Sequence, residues 1–127
     1  MVLALSALVV ACADAHPLAP SGPVVGRWGG VDADLVSLAQ SVRLRLPCGT
    51  IDFASPIAPA ATGVFTVQSL GRGGTDTRPL APAILQGRVT GAAMQITVTY
   101  LLPATQRTAT YELSRDRAPV FETVCPP

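Results

Sequence analysis

From residue 24 onward, apolar and polar positions alternate with a period of two. Val42, Leu44 and Leu46 fall on one face of a run whose other face carries Arg43 and Arg45. In the next run Ile51 and Phe53 point one way and Asp52 the other. Met94, Ile96, Val98 and Tyr100 share a face opposite Gln95, Thr97 and Thr99, and Ala109, Tyr111 and Leu113 oppose Thr108, Thr110 and Glu112. This period belongs to strands with one buried and one wet face. Val, Thr, Ile, Phe and Tyr fill the runs, and Gly and Pro separate them. Strands are predicted at 24–30, 33–39, 42–48, 50–54, 63–70, 83–90, 92–101, 107–114 and 119–124. A tight hairpin turn is expected around Gly91, longer loops at the Pro-rich 55–61 and 77–82, and a helical turn competes with a strand at 35–40, where alternation is lost. The period of two sets the inward residues: Trp28, Leu44, Leu46, Ile51, Phe53, Phe65, Val67, Met94, Ile96, Val98, Tyr111 and Leu113.

Many short, closely spaced strands predict an all-β fold. The expected form is a small antiparallel up-and-down β-barrel of about eight strands, or a tightly curved sandwich. A barrel of that size is filled by its side chains or holds one small ligand. Gly26-Arg27-Trp28 on the first of these strands is a G-x-W, and it resembles the opening of the lipocalin or calycin superfamily. That resemblance implies a tryptophan plugging one end of the barrel. Cys125 near the chain's end adds to the likeness. Bacterial secreted proteins of similar size include calycin-like metalloprotease inhibitors, so inhibition of secreted proteases is one implied role.

The first residues follow a different rule. Val2–Ala11 is an apolar run, interrupted only by Ser6, that leads straight into Cys12. It is about half the roughly 20 residues a membrane-spanning helix needs, and it fits the apolar core of a secretory signal. Val9-Val10-Ala11-Cys12 resembles the lipobox of bacterial lipoproteins, which implies lipidation at Cys12 and a membrane anchor. No Lys or Arg precedes the run, which a start codon read too late explains. Ala13-Asp14-Ala15 offers a rival cut that discards Cys12 and releases a soluble, secreted protein. The resulting division is a signal peptide at 1–11, a Pro- and Ala-rich tether at 12–23 and a barrel domain at 24–127. The expected location is the bacterial cell envelope, facing the periplasm or the cell surface.

Composition narrows the chemistry. The formal charge is +1, with nine basic and eight acidic side chains, so nothing favours nucleic acid. All the basic residues are Arg, as a GC-rich genome encourages. With Cys12 committed to processing, Cys48 and Cys125 remain as an even pair, which reads as a disulfide in an exported domain. No metal site is expected, because the single histidine, His16, lies in the tether and no C-x-x-C occurs. The same histidine excludes a Ser/His/Asp set. Asp52, Glu112 and Glu122 are read as solvated positions on strand faces, not an acid–base pair. The 71–78 loop, GRGGTDTR, lacks the spacing and lysine of a phosphate loop and reads as a hairpin tip. Trp28 either floors a ligand pocket or plugs the core. The expectation is a non-enzymatic binding or interaction module without a cofactor. Its partners are the membrane, through the lipid anchor, and either a small apolar ligand or a protein.

Overall fold

The computed structural model describes residues 22–68, 74–75, 78–79, 82–101 and 106–125. The expected signal peptide, Cys12, His16 and the expected tether up to residue 21 lie outside these residues, as do 71–73 and 76–77 of the expected hairpin tip. The strands are β1 (Gly26–Gly30), β2 (Ala33–Ser37), β3 (Val42–Leu46), β4 (Gly49–Phe53), β5 (Val64–Gln68), β6 (Gly74–Thr75), β7 (Arg78–Pro79), β8 (Ala83–Thr90), β9 (Ala93–Leu101) and β10 (Gln106–Arg115).

Eight of them form one antiparallel sheet in the order β4-β3-β2-β1-β10-β9-β8-β5. Neighbours in the sheet are neighbours in the chain, except where β5 pairs with β8 across the intervening β6 and β7 and where β1 pairs with β10 and brings the two halves of the meander together. The result is a nearly closed up-and-down barrel, with β4 and β5 at the ends of the order. The stretches expected as a hairpin tip at 71–78 and a loop at 77–82 are partly strand: β6 and β7 pair as a two-residue ladder, and β6 lies beside β4.

Register follows the alternation in the sequence. Leu44 stands opposite Leu35 and Ile51, and Ile96 opposite Gly87 and Tyr111. Each pairing places apolar side chains on the same inner face. Eleven of the twelve expected inward residues are buried, and Tyr111 is half-buried against the same cluster. Gly91 takes a φ of +57° in the β8–β9 turn, where only glycine pays no steric cost.

The strand expected at 33–39 forms over Ala33–Ser37, and the competing helical turn does not. Alternation was hidden there because the inner face is made by small residues, Ala33 and Ser37 flanking Leu35, while apolar Val36 faces outward. The ninth predicted strand, 119–124, does not form. Asp116 turns the chain with a φ of +57°, and Pro119 has no N–H to give a ladder. Beyond this turn the chain becomes an irregular strap along the end of β1, where its ladder pairing is reduced to one parallel bridge between Val31 and Val120. Glu122, expected on a strand face, is exposed on this strap.

Candidate functional site

The two ends of the barrel are built differently. One end gathers the start of β1, the β2–β3 turn, the end of β4 and the end of β10. The backbone N–H of Val24 donates to the Ile57 carbonyl at 2.8 Å, which draws the β4–β5 connection across this end. Ile57 is fully buried and Val24 nearly so. The Ser37 hydroxyl, also fully buried, donates to the Val24 carbonyl at 2.5 Å. Buried polar groups need such partners, so Ser37 fixes the entry of the chain.

Trp28 lies just inside this closed end with 1% exposure. The Arg115 guanidinium sits over its ring at 5.4 Å and donates to the Val25 carbonyl at 3.0 Å. A cation over an indole face is attracted by the ring quadrupole, so the last residue of β10 covers the tryptophan of β1. The indole Nε1 has no acceptor among the described residues. Arg115 escaped sequence reasoning because it lies past the alternating part of its strand. A late arginine has no pattern of its own; its role depends on the β1–β10 pairing, in which Trp28 stands opposite Arg115.

The opposite end carries the β1–β2 and β3–β4 turns, the last residues of β9 and the strap. Asp32, in the β1–β2 turn, accepts from the backbone N–H groups of Glu122 and Thr123 at 2.8 and 2.9 Å and from the Thr123 hydroxyl at 2.5 Å. These bonds favour the charged carboxylate, the hydroxyl most, and hold Asp32 below its ordinary acid range. The strap then reaches Cys125, which is bonded to Cys48 in the β3–β4 turn with Cα atoms 5.3 Å apart. The expected disulfide is therefore present, but it joins a turn to a strap where two strands were expected. On β1, Gly29 and Gly30 permit this crowding. A Cβ on the first would overlap the Arg117 carbonyl of the strap, and one on the second the Glu112 carbonyl of β10.

Tyr100 and Tyr111 face inward near this end, both half-buried beside the core. Burial first, then the neighbouring Tyr111, pushes the Tyr100 phenol up to about 12. Tyr111 is raised by burial and by the negative charge of Asp32.

On the outer wall, Asp34 is nearly buried between two arginines. Arg27 donates to both of its oxygens at 3.0 Å, and Arg45 approaches at 3.4 Å while lying 4.8 Å from the Phe121 ring of the strap. The sequence reading missed Asp34, because burial of an outward carboxylate arises only once Arg27 and Arg45 of the neighbouring strands close on it. Asp52 pairs with Arg43 at 2.8 Å on the exposed surface, and Glu112 accepts from Gln95 at 3.0 Å. The three carboxylates proposed as solvated are thus separate surface groups. Among the described residues, no three His, Cys, Asp or Glu side chains converge as metal ligands. The chain matches no family model, no curated protein and no solved structure.

Proposed function

We propose that this chain is an exported envelope protein, anchored through lipidated Cys12, whose barrel acts as a non-enzymatic interaction module for a protein partner. The observation that carries this reading is the interior. Trp28, Leu35, Leu44, Phe53, Ile57, Leu85, Met94 and Ile96 are all essentially inaccessible and belong to one contiguous cluster. A small-ligand carrier keeps space there. A filled barrel leaves recognition to its outer wall, turns and loops, which a rigid scaffold positions. The Cys48–Cys125 bond supports export, since disulfides persist mainly in oxidising compartments. Inhibition of a secreted protease, the role implied by the calycin resemblance, is one form of this protein-binding reading.

Trp28 emission tests the choice between ligand carrier and protein binder. A panel of fatty acids and small apolar molecules is expected to leave the emission unshifted. A saturable shift would make the carrier the better reading and return Trp28 to its role as pocket floor. Intact mass and fractionation test the anchor: Cys12→Ser is expected to move the protein from membranes to the soluble fraction. A mature, unmodified N-terminus at His16 would remove lipidation.

A further inference from the structure

The chain enters the described structure at Gly22, beside Val24, and Val24 lies at the closed end of the barrel. Cys12 is ten residues earlier, so a fully extended connection spans at most about 35 Å. An anchored domain is therefore confined close to its bilayer, with the closed end nearest the attachment point.

That end carries an apolar lip on its outer wall. Val25 and Leu38 stand one position beyond the Gly26–Ser37 pair and are 50% and 53% exposed. Leu38 also lines an open groove of about 580 Å³ with Val36, Val42, Phe53 and Ala54, and the Arg43–Asp52 pair forms part of its polar lining. Arg115 touches the Val25 carbonyl on the other side. Arg43 is paired with Asp52, and Asp116 is the next residue after Arg115. The local charge is thus largely balanced, which leaves apolar contact as the main attraction.

We infer that the lip formed by Val25, Val36 and Leu38 rests on the membrane that holds the lipid anchor. The turns and strap at the other end, with exposed Val31, Val120 and Val124, then face away and remain open to a partner. So small a lip does not hold a free protein on a bilayer. A tether converts the contact into an intramolecular event at high local concentration, where a weak contact suffices. This inference rests on the lipidation of Cys12 proposed above, and the two fail in distinguishable ways.

The test uses the full chain, acylated and reconstituted in phosphatidylethanolamine–phosphatidylglycerol vesicles containing doxyl-labelled lipid. Leu38→Cys and Val120→Cys each add one free thiol for an environment-sensitive fluorophore, both at exposed positions that leave the core intact. Quenching by the doxyl lipid is expected to be at least twofold stronger at position 38 than at 120. Leu38→Cys combined with Val25→Asp is expected to lose most of that difference. Equal quenching at both positions, or stronger quenching at 120, overturns the orientation while leaving the anchor intact. Absence of the acyl mass at Cys12 overturns both readings, and it is read from the intact mass before any quenching is measured.

Discussion

The closed end and the strapped end of this barrel solve one problem by different physics. Both must cover the open mouth of a curved sheet. At the closed end Val24, Ile57 and Trp28 bury apolar surface, and a single hydroxyl, Ser37, satisfies the backbone that crosses it. At the other end the core residues Ala33, Leu46 and Ala83 are buried, but what lies over them stays in water: Val31, Val120 and Val124 are exposed and Tyr100 and Tyr111 are half-buried. A covalent bond and the cluster of donors on Asp32 hold that end instead. The difference teaches that burial seals an end where the chain supplies bulky apolar residues in the right register. Where it does not, cross-linking and charge-assisted hydrogen bonds take over, and these depend on redox state and pH.

The comparison breaks first if the closed end proves insensitive to its apolar residues. Phe53 ends β4 there and is 1% exposed. Phe53→Ala is expected to cost about 3–5 kcal/mol in denaturant melts, the usual loss for a core aromatic. A cost below about 1 kcal/mol, typical of surface changes, would show that the inner face is wrongly assigned.

Removing the staple tests the other end. The Cys48–Cys125 bond spans 77 residues, for which loop-closure entropy gives about 4.5 kcal/mol as a ceiling and experience about 2–4 kcal/mol. The Cys48→Ser, Cys125→Ser double variant is expected to lose stability in that range. Its amide exchange should accelerate most along the strap, while the closed end keeps its protection. Uniform acceleration over both ends would mean that they do not act separately.

A smaller effect is expected at Asp32. Its carboxyl is held below the unfolded value of 3.8, so its contribution is present above that pH and is lost as pH falls through the folded value. Exchange at Glu122 and Thr123, corrected for intrinsic rates, should rise in that acid window. Asp32→Asn keeps the left-handed backbone at this position tolerable and should loosen the strap at neutral pH as well. Unchanged exchange in the variant would remove Asp32 as a hold on the strap.

The smallest expected effect is at the alkaline limit. Tyr100 keeps its proton to about 12 when folded, against an ordinary 10. The unfolded chain therefore releases a proton first, and this group lowers stability progressively as pH rises from about 10 towards 12. Spectroscopic titration of the phenols checks it: a Tyr100 signal titrating near 10 would mean that water reaches this residue freely.

Much of the molecule was legible in the residues alone. Alternation in 42–46, 49–53 and 93–101 determined strands, inner face and register, because a slip of one residue would expose every apolar side chain. The pair Cys48 and Cys125 pointed to the disulfide, because without a C-x-x-C or a second histidine few alternatives remain for two such thiols. Tertiary structure alone decided the rest. The closure of β1 on β10 put Arg115 over Trp28 although 87 positions separate them. The turn at Asp116 made a strap from a segment with strand-like composition, and the strap gave Asp32 its donors. Periodicity reports which face of an element meets the core. It carries no information about which distant backbone will cross that element's outer face, since that depends on where the sheet curves and how its ends are covered.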